Sequence, residues 1–236
     1  MNIAIFGDSF ANGESDMKRH NAHLGLTQYL MDDGHFVVNF SRQGNTNQGV
    51  IDDYPFHLRQ NEHLKFDIAL VFQTEACRDS SSETTSIREM ETVVIKEFYS
   101  DLKKSQDIYN IPIYLIGGTA DTLSPDVIKE CGLKCACQSL VNLCVNGDHL
   151  IEEPTTNFVF YGKDDSLDIN LITADDKEYF LKSIEMGDDR YKLMGDNPEY
   201  FAPMENFTRG AKHENNHPNR YAYKKLFDHL KSEGIV

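Results

Sequence analysis

The chain has 236 residues, 40% of them hydrophobic and 26% charged, with a formal net charge of −15 at pH 7. That length suits one large α/β domain or two small ones with a sizeable core. The acidic balance argues against nucleic acid and anionic membrane surfaces as partners, since both call for clustered Lys and Arg, and no run approaches the ~20 apolar residues that span a bilayer.

In chain order, Ile3–Phe6 is a short apolar run that reads as a buried strand and ends in Gly7-Asp8-Ser9-Phe10. No basic, apolar and cleavage-site series of a signal peptide precedes it, so the default expectation is the cytoplasm. Residues 22–33 read as a helix stopped by Gly34, and His35–Phe40 as a second strand. Residues 49–61 read as a helix interrupted near Pro55, and Phe66–Phe72 as a third buried strand. Residues 86–106 carry the clearest helical period, with Met90, Val93, Val94, Phe98 and Leu102 at three- and four-residue steps. Ile111–Ile116 is a fourth strand closed by Gly117-Gly118, and a helix is expected over 125–143. A strand or hairpin is expected at 152–161, a helix at 173–186 behind Thr173, and a last helix at 219–231.

Continuous apolar strands separated by helices mark parallel βαβ units with helices on both faces. Ligands of such sheets bind beyond the carboxyl ends of the strands. Ser9, Gly44, the segment after Phe72 and Gly117-Gly118 all follow predicted strands, so they gather along one edge.

At the far end of the chain stands Glu214-Asn215-Asn216-His217-Pro218. Ser9 at a strand end needs a base to become a nucleophile. His217 supplies one, and a carboxylate three residues before it fixes the tautomer and stabilises the imidazolium. Taken singly, Gly-Asp-Ser is a turn signal and His-Pro a helix-start signal; together they point to acyl transfer. His213 is a rival to His217, read as a solvated neighbour.

Five cysteines are present, Cys77 alone and Cys131, Cys135, Cys137 and Cys144 in a C-x3-C-x-C-x6-C series. The series lacks paired C-x2-C knuckles, so reduced side chains packed on or under a helix are expected, with a structural zinc as the alternative. His20 and His23 read as surface histidines, the acidic turns at 163–165 and 187–189 as solvated, and Tyr191, Tyr200, Phe201 and Phe207 as lid packing or a ligand-binding rim. No metal site is expected.

Three blocks together resemble the SGNH/GDSL hydrolase family of serine esterases and lipases. They are Gly7-Asp8-Ser9-Phe10, Asn39-Phe40-Ser41-Arg42-Gln43-Gly44-Asn45-Thr46, and Glu214 to Pro218. The resemblance covers nearly the whole chain. It implies a single α/β/α sandwich domain over 1–236 with a mostly parallel central sheet of about five strands; the less regular stretch at about 146–212 reads as an insertion or lid. It implies Ser9, His217 and Glu214 as catalytic residues and the N–H groups of Ser9 and Gly44 as oxyanion donors. Two departures stand out: Glu214 replaces the usual Asp, and Phe72-Gln73-Thr74-Glu75-Ala76-Cys77-Arg78 lacks the Gly-x-Asn-Asp of the family's third block. Gln73 and Thr74 are therefore candidates for the third donor, and Asp8, Asn45 and Arg78 for contact with substrate. The implied reaction is hydrolysis of a carboxylic ester through an acyl-Ser9 intermediate, without metal or organic cofactor, on a small-molecule or glycan substrate such as a carbohydrate O-acetyl ester. The alternatives are an O-acyltransferase and a non-catalytic binding module on the same fold.

Overall fold

The computed structural model describes residues 1–13, 23–75, 87–118, 120–152, 154, 189–190, 192–203 and 216–236, with the side chains of 87–93 and 203 excepted. Five strands form one parallel sheet: β1 (Asn2–Phe6), β2 (Phe36–Asn39), β3 (Ile68–Gln73), β4 (Ile113–Gly117) and β5 (Lys134–Cys137). Their order is β2-β1-β3-β4-β5, and every pairing is parallel. β3 is buried at every position, as a strand covered on both faces must be.

The helices sort to two sides. Four of them, α1 (Ser9–Asn12), α2 (Leu26–Asp32), α6 (Leu140–Asn146) and α7 (Arg220–Ser232), supply a core with Ile3, Ile5, Leu70 and Phe72. On the other side α3 (Asn47–Gln60), α4 (Ile87–Tyr109) and α5 (Pro125–Glu130) supply the opposite core with Ala4, Phe6, Ala69 and Val71. The alternation of β1 and β3 residues between the two clusters is the strand period expressed in packing. A second sheet is antiparallel, β6 (Phe201–Pro203) against β7 (Asn216–Pro218).

Several elements differ from their sequence-based expectation. Residues 125–143 are not one helix: α5 stops at Glu130, Gly132 turns the chain, β5 pairs with β4, and α6 restarts where Ser139 accepts from the Asn142 N–H. The four-residue strand lies between two helical patterns that mask its period. α3 runs through Pro55 without interruption. Burial of Val50, Tyr54 and Leu58 on the sheet outweighs the hydrogen bond that proline removes. α2 starts at Leu26 rather than Ala22, and α4 extends to Tyr109. The strand expected at 152–161 and the helix at 173–186 fall, save residues 152 and 154, outside the described residues.

The loop after α6 is fastened to the end of β5. Gln138 donates from Nε2 to the Ile151 carbonyl (3.2 Å) and accepts from the Ile151 N–H at Oε1 (3.1 Å). Asn142 donates to the carbonyls of Asp148 and Leu150. No helix among the described residues is long and apolar enough to cross a membrane.

Candidate active site

In a 2-1-3-4-5 sheet the strand order reverses between β1 and β3, and the crevice beyond those carboxyl ends is where such folds bind ligands. Ser9 follows β1 at that point. Gly7 makes the turn possible: a Cβ there would lie 2.7 Å from Phe72 Cβ and 2.9 Å from Ala11 Cβ. Asp8 then caps α1, its carboxylate accepting from the Phe10 N–H at 2.9 Å.

α1 is four residues long and cannot satisfy its own carbonyls. Two distant side chains do so. Tyr223 of α7 donates to the Phe10 carbonyl (2.9 Å), and Asn39 at the end of β2 donates to the Ala11 carbonyl (2.8 Å). The Tyr223 bond fastens the serine's helix to the helix that directly follows His217. Asn219 caps that helix, its Oδ1 accepting from the Tyr221 and Ala222 N–H groups, and its Nδ2 donates to the Glu199 carbonyl just before β6.

These restraints bring Ser9 Oγ to 2.8 Å from His217 Nε2. The two side chains stand 208 positions apart in sequence and are both buried, Ser9 at 9% and His217 at 7% exposure. The His217 ring also lies 5.2 Å from the Phe10 ring. With Nδ1 carrying the ring proton, Nε2 accepts the serine hydroxyl. That is the ground-state geometry of a general base on its nucleophile. Glu214, expected to orient the ring, lies outside the described residues, as do Arg78, Cys77, His20 and His213.

Gly44 lies in the β2–α3 loop at φ 68°, a conformation that favours glycine, and a Cβ there would meet nothing within 4 Å. The space in front of its backbone is open. Among the described residues, no hydrogen bond engages the N–H of Ser9 or of Gly44.

Three of the candidate side chains are buried and bonded within the fold. Asp8, a candidate for substrate contact, is fully buried, and its carboxylate caps α1. Asn45, also a candidate, is 8% exposed and braces its own loop, donating to Asp53 Oδ2 (3.2 Å) beside the Arg42–Asp53 ion pair (2.8 Å). Gln73 is fully buried on the far face of β3: its Nε2 donates to the Asp121 carbonyl (2.7 Å), and its Oε1 accepts from the Tyr99 hydroxyl (2.7 Å). The amide therefore belongs to an internal network.

Thr74 is different. Asn47 grips its backbone from both sides, accepting from its N–H (2.9 Å) and donating to its carbonyl (3.0 Å). Thr74 stands one residue past the end of β3. It is fully buried, and Oγ1 has no hydrogen-bond partner among the described residues. Asn47, Tyr223 and Asn39 are site-building residues; of these only Asn39 lies in a recognisable motif, and the other two carry no local sequence signal.

The cysteines do not converge. Cys131 and Cys135 pack against the α3–α4–α5 core, whereas Cys137 and Cys144 are buried in the other. Cys131 caps the end of α5, Cys135 and Cys137 lie on β5 and Cys144 lies in α6, where burial pushes its thiol up to about 12. Among the described residues, no group of three His, Cys, Asp or Glu side chains is placed to hold a metal. His23 accepts from the Gly25 N–H at Nδ1 (3.0 Å). Phe201 is core rather than rim, at 1% exposure, and Tyr200 packs against the same core.

No family model matches the chain, and a search of curated proteins finds no match. The solved structures that align with it include SGNH and GDSL hydrolases. One is the psychrotrophic esterase EstA from a Pseudoalteromonas species, at 14% identity over 98% of this chain and 94% of that one, with a TM-score of 0.44. Another is a putative SGNH hydrolase from Slackia heliotrinireducens, at 9% identity over 98% and 97%, with a TM-score of 0.43. A third is a member of the lipolytic G-D-S-L family from Veillonella parvula, at 13% identity over 98% and 96%, with a TM-score of 0.39. Alignments at these values record a likeness and nothing finer.

Proposed function

We propose that the chain is a serine ester hydrolase of the SGNH type. The observation that carries this reading is the buried 2.8 Å contact between Ser9 Oγ and His217 Nε2 at the β1/β3 switch point. In the proposed reaction Ser9 Oγ attacks the ester carbonyl carbon while its proton passes to His217 Nε2. The tetrahedral intermediate collapses, His217 returns the proton to the departing alkoxide, and the acyl group stays on Ser9. Water, activated by the same imidazole, then releases the carboxylic acid. Glu214 is the proposed partner of His217 Nδ1.

The oxyanion forms beside the Ser9 and Gly44 N–H groups. We assign the third donor to the Thr74 hydroxyl rather than to Gln73. A buried hydroxyl lacking a partner in the resting protein is available to bind charge that appears only in the transition state. We propose O-acetyl esters, carbohydrate ones included, as the first substrates to try. The proposed domain is the whole chain, with residues from about 146 to 212 as an insertion.

The test is labelling with an organophosphonate followed by peptide mass spectrometry. The expected result is one adduct, on Ser9, that His217→Ala abolishes. A protein that takes no label and leaves short acyl esters intact, equal to Ser9→Ala, overturns the reading.

A further inference from the structure

We infer that the ion pair Arg190–Asp121 is the positioning clamp of His217; this rests on the reading of Ser9 and His217 as the reacting pair. Asp121 follows β4 at the carboxyl edge of the sheet. Its carboxylate accepts from Arg190 Nη1 at 2.8 Å, with the two side chains 2% and 7% exposed. Arg190 Nη2 donates to the Gly118 carbonyl (3.3 Å). Both anchor points are themselves fixed. Gln73 at the end of β3 donates to the Asp121 carbonyl, and the Tyr99 hydroxyl both donates to Gln73 and accepts from the Leu123 N–H. Gly118 lies so close to β3 and α1 that a Cβ on it would be 3.2 Å from the Gln73 carbonyl oxygen and 3.4 Å from Phe10 Cβ. The foot of the clamp is thus built from the strand ends that frame the serine.

Arg190 precedes the described segment that packs beside the histidine. Residues 192–195 are helical, and Met194 is fully buried in the core that holds Phe10. A Cβ on Gly195 would stand 3.3 Å from the Asn216 side chain, so this turn leans on the residue before His217. β6 follows, and its Ala202 pairs with His217. Tyr200 accepts from the Asn219 N–H at 2.8 Å, closing the same short sheet behind the histidine. His217 is held between the serine's helix and β6, and β6 is referenced to the main sheet through Arg190. A guanidinium suits this task because its planar fork fixes direction as well as distance.

Removing one partner alone strands a buried charge and risks the fold, whereas replacing a buried pair by apolar groups is commonly tolerated. The variants are therefore the double replacement Arg190→Met with Asp121→Leu, and the conservative Arg190→Lys. The double variant is expected to stay folded by calorimetry while kcat on a short chromogenic ester falls about 100-fold, the usual effect of a displacement near 1 Å at a reacting group. KM should stay within about twofold, and Arg190→Lys should recover part of kcat by keeping the charge. In parallel, the 15N resonances of the His217 ring report its bond to Ser9 without any turnover. Ring shifts that move in the double variant support the clamp. Unchanged ring shifts, or a double variant that matches the parent in kcat, overturn it. If the parent itself neither cleaves esters nor takes the phosphonate, the hydrolase reading fails, and the ring shifts still decide the clamp.

Discussion

Replacing Thr74 by valine should make the protein more stable and much slower. In the resting fold the Thr74 side chain is fully buried and its hydroxyl lacks a partner among the described residues, while Asn47 holds the backbone on both sides. A buried hydroxyl without a hydrogen bond costs about 1–3 kcal/mol of desolvation. Valine keeps the branched shape and removes that cost, and the backbone contacts are untouched. At roughly 2–4 °C per kcal/mol for a chain of this size, Thr74→Val should melt several degrees higher. The loss of one oxyanion donor raises the barrier by ~2.7–4 kcal/mol, a fall in kcat of about 10²–10³. KM should hardly change, because the bond exists only in the transition state. Thr74→Ser is the control: it keeps the donor, loses a methyl group worth about 0.5–1.5 kcal/mol, and should keep most of the parent's turnover. Calorimetry and steady-state kinetics on an acetyl ester read both quantities. A valine variant that melts lower than the parent and turns over at the parent's rate refutes the assignment, since the hydroxyl would then be bonded internally and idle in catalysis.

Activity should rise with pH as His217 loses its proton, since only the neutral ring accepts from Ser9; a flat rate from pH 5 to 8 contradicts its role as base. Stability should fall in mild acid through His149. Its pKa is held below the ordinary histidine value, first by burial and then by the adjacent His229 ring, against the opposing pull of Asp148 and Glu233. The unfolded chain then binds the proton more readily. The contribution is complete above the ordinary histidine pKa and is lost as pH drops through it toward the folded value. Protonation at Nδ1 also breaks the bond from the Gln138 N–H (3.0 Å). The difference in urea midpoint between the parent and His149→Gln should shrink from pH 7.5 to 5.5; a constant difference contradicts this. Tyr223→Phe should cost about 0.5–1.5 kcal/mol and slow the enzyme, because the Phe10 carbonyl loses its donor. Equal melting and kcat would show that α1 needs no such tether. Gly117→Ala should be poorly folded, because a Cβ there would sit 2.0 Å from the Gln138 carbonyl oxygen; soluble expression with the parent's melting curve contradicts it.

The sheet was legible because β1 to β4 are apolar runs, and the burial of β3 at every position matches its uninterrupted Ile-Ala-Leu-Val-Phe pattern. β5 was not, because Lys134-Cys135-Ala136-Cys137 is too short to show a period between two helical stretches. Ser9 and His217 were legible as residue types in place. Their meeting across 208 positions was expected from the two blocks together; the bonds from Tyr223 and Asn39 that hold α1 in place were not, because they join segments that no local pattern relates. The proposed preference for Thr74 over Gln73 rests on bonding, since the Gln73 amide is taken up by Asp121 and Tyr99.

Gln138 has a consequence for how the chain tolerates change. Among the described residues β5 is an outer strand, and outer strands invite foreign chains to add on. At its carboxyl end the Gln138 amide closes a two-way ring with the Ile151 backbone, so a side chain occupies the ground where an intruding segment would begin to zip. That same knot lies just upstream of residues 155–188. Lengthening, trimming or exchanging that stretch between relatives would be absorbed downstream of the knot, leaving the register of the outer strand undisturbed.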